Sequence, residues 1–216
     1  MLARMAGAVN TVHCSEGHLI GYNTDGRGLV DSLAADLGFD PAGSTVALVG
    51  AGGAAASALV SLVLGKAARV VVLNRTYEAG AALVDRISPH ARDTVLEAAP
   101  LDESAAEIVR EADLVLNSTS LGMRPGDPSP VPAAWMRSGQ VAADMIYRAE
   151  PTPFVAEARR AGASAIDGLG MLVSQGALSL EIWSGEARAV APRDLMRESA
   201  EEALAALAGR GAGELR

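Results

Sequence analysis

The sequence predicts an α/β fold built on a doubly wound parallel sheet, and three observations carry that reading. Short apolar runs alternate with helical patterns from residue 45 to residue 166, the signature of strands connected through helices. The first such run leads directly into Gly50-Ala51-Gly52-Gly53 and then into an Ala/Leu/Ser helix, the order in which a dinucleotide fold sets a pyrophosphate against a helix start. Apolar residues make up 50% of the 216 positions and charged residues 20%, enough to bury a core between a sheet and its helices. Aromatics are only 3%, so Ala, Val and Leu must do the packing.

Taken in order, residues 9–12 and 19–22 predict two short strands, with Ser15-Glu16-Gly17 as the turn between them. Asn23-Thr24-Asp25-Gly26 opens a helix that Thr24 or Asp25 is placed to cap. Leu29, Val30, Leu33 and Leu37 supply its apolar stripe, and Gly38 ends it. Strand 45–49, the glycine turn and helix 54–64 follow. Strand 69–73, Asn74-Arg75-Thr76 and helix 78–87 repeat the unit. A weaker strand is expected at 93–96, a helix at 102–110 and a strand at 114–116. A Pro-rich loop at 124–132 precedes a short helix near Trp135. Strand 141–144, helix 153–161 and strand 164–166 complete the alternation. Two helices without an intervening strand, 169–184 and 192–207, then predict a return onto a neighbouring domain, and 209–216 a frayed tail.

Composition narrows the function. A net charge of −8 argues against nucleic acid as a partner. Cys14 is the only cysteine, and His13, His18 and His90 lie without ligand spacing, so no metal site is expected. Of the 18 basic residues only Lys66 is a lysine. Residues 41–65 carry no charge, but Gly50, Gly52 and Gly53 interrupt them and the two halves differ in period, which fits strand, turn and helix better than a membrane span. Residues 7–12 are too short and too polar for a leader, so a cytoplasmic protein is expected.

Three segments carry candidate chemistry. At Gly50, Gly52 and Gly53 the missing Cβ atoms allow close approach of a pyrophosphate to the backbone, and Ala55 replaces the third glycine of the usual pattern. After the next strand, where a fold preferring NAD places an acid, Asn74-Arg75-Thr76 places an arginine. A guanidinium suits a 2′-phosphate, so the residues favour NADP. After the fourth strand, Asn117-Ser118-Thr119-Ser120 would line the nicotinamide side of the groove, a pattern that ordinary helix caps and turns also produce. Asn10, Asp25, Tyr147 and Gln175 sit at ends of predicted elements.

Five motifs in order and spacing resemble the shikimate dehydrogenase family. They are Gly7-Ala8-Val9-Asn10-Thr11, Gly21-Tyr22-Asn23-Thr24-Asp25-Gly26, Gly50-Ala51-Gly52-Gly53-Ala54, Asn74-Arg75-Thr76 and Gly168-Leu169-Gly170-Met171-Leu172-Val173-Ser174-Gln175. The resemblance implies an NADP-dependent enzyme of aromatic amino-acid biosynthesis that interconverts 3-dehydroshikimate and shikimate. It also implies two α/β domains with the site between them. By motif, Asn10 and Asp25 would contact substrate hydroxyls, with Asp25 catalytic, and Tyr147 and Gln175 would contact the substrate from the other side. Gly50, Ala51, Gly52, Gly53 and Ala54 would hold the pyrophosphate, and Asn74, Arg75 and Thr76 the 2′-phosphate. Thr119, Met145 and Gly168 would border the cofactor.

The chain departs from the family pattern in three ways. Arg148-Ala149 follows Tyr147 where the family usually has Asn-Pro, and Glu78 stands where some members carry a second arginine. The family also has a segment ahead of Gly7-Ala8-Val9-Asn10, with a Ser-x-Ser loop and a lysine that pairs with the motif aspartate. The 216 residues contain neither, and Lys66 falls at the wrong end of the sheet. The expected organisation is therefore a Rossmann-type NADP-binding domain at 25–167 with an incomplete α/β substrate domain. Residues 1–24 and 168–208 would form the incomplete domain, and 209–216 the tail. Impaired catalysis is expected with it. An NADP-binding module without turnover and a quinate or aminoshikimate dehydrogenase remain alternatives. Strands 9–12 and 19–22 would lack sheet neighbours, so either disorder before Asn23 or a homodimer is expected, the alternative being that the C-terminal helices cover them within one chain.

Overall fold

A computed structural model describes residues 1–185 and 191–211, with side chains to residue 207. Six parallel strands form one sheet: β3 (Thr45–Val49), β4 (Arg69–Asn74), β5 (Val95–Pro100), β6 (Leu114–Asn117), β7 (Val141–Asp144) and β8 (Ser164–Ile166). Their spatial order is β5-β4-β3-β6-β7-β8. The chain builds outward from β3 to β5, then returns to pair β6 with the other side of β3. That reversal parts the loops after β3 and β6 and opens a crevice at their carboxyl ends.

Both faces of the sheet are buried, so its central strands are continuously apolar rather than alternating. Val46, Leu48, Val70, Val72, Leu114 and Leu116 face one layer, with α3 (Gly53–Leu64), α4 (Tyr77–Ile87) and α2 (Asp25–Leu37). Ala47, Val49, Val71, Leu73 and Val115 face the other, with α5 (Ala105–Glu111) and α6 (Pro153–Arg160). Outside α2 lies α7 (Leu169–Ser184), which α8 (Arg193–Gly211) follows.

Glycines set how closely α2 meets its neighbours. A Cβ on Gly26 would run into the Ser57 carbonyl of α3. One on Gly28 would lie 2.7 Å from the Gln175 backbone nitrogen of α7. Helix α2 is thus clamped on both sides within its first turn.

The amino-terminal part carries three regular elements before Asn23. A five-residue helix, α1 (Leu2–Ala6), which the sequence analysis did not anticipate, is ended by Gly7 at φ 65°. Next comes the antiparallel pair β1 (Thr11–Ser15) and β2 (His18–Tyr22). The first strand lies later than the expected 9–12. Glu16 (φ 50°) and Gly17 (φ 80°) form the two-residue turn, which sets Ser15 opposite His18 and carries pairing up to the turn. Helix α7 secures one strand of this hairpin: Trp183 Nε1 donates to the Val12 carbonyl (2.9 Å), and Ser179 Oγ lies 2.6 Å from Thr11 Oγ1.

Three other expectations shift. The fifth strand begins at Val95, not residue 93, because pairing with β4 sets Val95 opposite Arg69 and an Arg69–Glu97 ion pair (2.7 Å) fastens this edge strand. Helix α5 begins at Ala105 rather than 102, because Asp102 accepts from the Ser104 amide (2.9 Å) and hydroxyl and holds a turn there. Helix α8 reaches Gly211, so residues 209–211 of the expected tail are helical, and 212–216 lie outside the described residues. Among the described residues no helix is long and apolar enough to cross a membrane.

Gly28→Ala is expected to destabilise the fold by about 1–3 kcal/mol, the usual cost of overpacking. Gly80→Ala is the control: its Cβ would meet only ordinary contacts at 3.6 Å, so it is expected to be neutral or to stabilise by up to ~1 kcal/mol. Thermal unfolding of the two variants checks the contrast.

Candidate functional site

The loop after β3 is shaped by close packing. Gly50 adopts φ 113°, which L side chains avoid, and a Cβ there would lie 2.6 Å from Ser118 Oγ. Its amide donates to the Leu73 carbonyl (2.8 Å), while the Ser118 amide and hydroxyl both donate to the Val49 carbonyl (2.8 and 2.7 Å). Gly52 and Gly53 face open space. The first turn of α3 carries no acid, and a helix start leaves its first amides without intrahelical partners. This corner is suited to an anion.

A groove of about 510 Å³ runs from Ala54 past Ser118, Thr119 and Ser120 to Met145 and Tyr147. At the end of β4, Asn74 Nδ2 donates to the Thr76 carbonyl (2.8 Å), folding the loop that carries Arg75. Arg75 is exposed and makes no ion pair among the described residues, and Glu78 occupies the first turn of α4.

The two walls of the groove are joined beneath by Asp144, at the end of β7 and 2% exposed. Its Oδ1 accepts from Asn117 Nδ2 and from the Ile146 amide (both 3.0 Å), and its Oδ2 accepts from Thr152 Oγ1 (2.6 Å). Asn117 Oδ1 in turn accepts from the Thr119 amide (3.0 Å) and hydroxyl (2.8 Å). Thr152 caps α6 by accepting from the Val155 amide (3.2 Å). Burial pushes the Asp144 carboxyl up to about 6; its three donors oppose the rise and Asp167 adds slightly to it. Gly168 packs directly on the Met145 carbonyl and donates its amide to Ile146 (2.9 Å).

A second network centres on Asn10, just before β1. The Thr24 amide donates to Asn10 Oδ1 (2.9 Å). Asn10 Nδ2 donates to Thr24 Oγ1 (2.8 Å), Asp25 Oδ1 (2.7 Å) and Gln175 Oε1 (3.2 Å). Thr24 holds the N-cap position of α2 without making a side-chain cap bond, contrary to expectation. Its hydroxyl is taken up by Asn10 and by Ser179 (3.2 Å). Gln175 is oriented by its own donation to the Leu172 carbonyl (2.9 Å). Asp25 has its carboxyl raised above 3.8, by burial first, with the Asn10 bond pulling the other way. Its Oδ2 accepts no hydrogen bond among the described residues.

The structure therefore brings Asp25 and Gln175 each into contact with Asn10, which corrects the expectation that Gln175 lies on the other side from it, and places Tyr147, Met145 and Thr119 together along the groove. Tyr147 makes no hydrogen bond to the Asn10 network. The carbonyl of Lys66 (φ 60°) accepts from the Gly43 amide (2.9 Å), between α3 and β4 at the amino edge of the sheet, and Lys66 makes no hydrogen bond to Asp25 among the described residues. Sequence reasoning missed Thr11, Ser179, Asp144 and Thr152. An acid ending an apolar strand, and Thr152-Pro153 as a helix start, were the available signals for the last two.

Two family models match the chain: "Shikimate / quinate 5-dehydrogenase" over residues 32–123 and "Shikimate 5'-dehydrogenase C-terminal domain" over 168–201. The shikimate dehydrogenase (NADP(+)) of Geobacter metallireducens is 43% identical over 184 residues, covering 85% of this chain and 64% of that protein. That of Citrifermentans bemidjiense is 42% identical over 205 residues, covering 94% and 68%. The chain thus spans about two thirds of the length of these relatives. A crystal structure of the Thermus thermophilus shikimate 5-dehydrogenase with NADP(H) and shikimate superposes with a TM-score of 0.80 at 36% identity, over 94% of this chain and 71% of that one. The Listeria monocytogenes shikimate 5-dehydrogenase with shikimate and NAD gives 0.82 at 28%, over 91% and 69%.

A carboxyl raised by burial binds its proton more tightly in the folded chain than in the unfolded one, so ionised Asp25 costs stability at neutral pH. Asp25→Asn is expected to melt above the wild type at pH 7. The gap should close as pH falls through the folded carboxyl's titration. Melting curves from pH 4 to pH 8 check this, and equal melting temperatures throughout would contradict it.

Proposed function

Because the chain belongs to the shikimate dehydrogenase family, we propose that it interconverts 3-dehydroshikimate and shikimate with NADP. One observation carries the reading. The first turn of α2 holds Asp25 against Asn10, which also meets Gln175, and through Gly26 it packs on α3, whose start opens on the groove. The corner at Gly50 fits a pyrophosphate: its missing Cβ, the open faces of Gly52 and Gly53 and the acid-free start of α3 all favour a close-lying anion. NADP, when bound, supplies the hydride chemistry at its nicotinamide ring.

The protein's own residues bind and orient. Gly50, Ala51, Gly52, Gly53 and Ala54 would hold the pyrophosphate, and Asn74, Arg75 and Thr76 the 2′-phosphate. Thr119, Met145 and Gly168 would border the nicotinamide. Asn10, Asp25 and Gln175 would take substrate hydroxyls from one side, Gln175 standing on Asn10 rather than opposite it as the motifs implied, and Tyr147 would approach from the groove. Asp25 is suited to hold the proton at the substrate oxygen, since one carboxylate oxygen is free and its proton affinity is raised. No basic side chain hydrogen-bonds Asp25 among the described residues. Slow turnover is therefore expected of these 216 residues, and binding is the sharper test.

Residues 25–167 form the cofactor domain in this reading, and 1–24 with 168–208 the substrate side. A cytoplasmic setting goes with it. Quinate is the second substrate to test, since the matching family model spans both dehydrogenases. The exposed Val9, Val12 and Leu19 of the hairpin region favour pairing with a second copy.

Titration calorimetry is expected to show NADP bound more tightly than NAD, with Arg75→Ala weakening NADP about tenfold and leaving NAD unchanged. Gly50→Ala should abolish binding of both. Equal affinities in the wild type would overturn the NADP reading. NADPH absorbance is expected to rise with shikimate and NADP faster than with quinate. Light scattering at micromolar concentration should report a dimer, and a clean monomer would refute the pairing.

A further inference from the structure

We propose that Asp144 is the positioning residue for the nicotinamide half of the groove, fixing both of its walls through one buried carboxylate. The inference rests on the NADP reading above. One wall is the turn at residues 118–122. Asn117 holds it by accepting from Thr119 while donating to Asp144 (3.0 Å). The other wall is the segment from Met145 to Tyr147, whose Ile146 amide donates to the same oxygen (3.0 Å). Thr152 binds the second oxygen and ties the pair to α6. These walls carry the Thr119, Met145 and Tyr147 side chains that line the groove.

The chemistry explains why a carboxylate serves here. An ionised carboxylate only accepts, so its three donors have one possible orientation each. Asn117 then has its amide sense fixed: its nitrogen faces Asp144 and its oxygen faces Thr119. Carboxyl burial raises its proton affinity, yet at neutral pH the group remains mostly charged, so the arrangement is held by charge-assisted bonds. At the rim, Arg148 adds a second tie between the same walls by donating to the Gly122 carbonyl (3.0 Å). Asp144 lies beneath the groove lining and acts through its neighbours. Its role is to hold the two walls in one relative position, so that the groove is formed before a ring enters it.

The test separates the two halves of the cofactor. NADP and adenosine 2′,5′-bisphosphate, which lacks the nicotinamide, are titrated calorimetrically into wild type, Asp144→Asn and Asp144→Ala. Asp144→Ala is expected to weaken NADP by about tenfold or more and to leave the bisphosphate within about twofold. Asp144→Asn keeps an acceptor for Asn117 and Ile146 and should recover most of the NADP affinity. If Asp144→Ala does not fold, Asn117→Ala frees one wall and should show the same split. Equal losses for both ligands, or unchanged NADP affinity in a folded Asp144→Ala, would overturn the proposal. A wild type that binds neither ligand would instead overturn the NADP reading itself.

Discussion

The close contact of α2 with α3 and α7 is the constraint on which the site depends. Gly26 lies against Ser57 and Gly28 against Gln175, both without room for a methyl group. Asp25 stands at the start of the same helix. The spacing between the helix that opens on the groove and the helix that presents Gln175 is therefore set by two absent side chains. Packed interiors transmit such spacings faithfully because they have little free volume. Asn23 reinforces the contact from the polar side, donating to Ser57 (2.9 Å) and to the Ala8 carbonyl (3.2 Å).

Two polar networks sit on either side of this packing and use opposite strategies. Around Asp144 every acceptor is satisfied and the carboxylate is sealed in, which suits a group that holds backbone in place. Around Asp25 one oxygen is left open, which suits a group that meets a ligand. Burial raises both carboxyls. The difference between support and chemistry lies in the free lone pairs rather than in the direction of the shift.

The sheet was legible in the sequence because its central strands are buried on both faces, leaving unbroken runs such as Val70-Val71-Val72-Leu73. The edge strand β5 was not, because half-exposed positions mix Glu97 with alanines and only pairing with β4 fixes its start. Helix α1 was too short to show a period. At the site, Asn10, Asp25 and Gln175 were named by their motifs, but their convergence from three elements far apart in sequence was not visible in composition or spacing. Thr24 looked like a cap because threonine before an acid usually is one. Here a tertiary partner 14 residues earlier competes for its hydroxyl. Asp144 and Thr152 were overlooked because a single acid after an apolar run carries no pattern.

The Asn10 amide has a fixed polarity. Its oxygen is claimed by the Thr24 backbone N–H, a group that cannot rotate, so its nitrogen must point at Asp25. Hydrogen bonding there runs one way, from main chain to amide to carboxylate, and an ionised Asp25 is the terminus of the chain. An ionised terminus of that kind greets an alcohol, which brings a proton, and repels a ketone oxygen, which brings none. A protonated carboxyl can donate to a carbonyl oxygen instead. The direction of a single side-chain amide thus decides what the open oxygen of Asp25 offers to whatever meets it: an acceptor while the carboxyl is ionised, a donor once it is protonated.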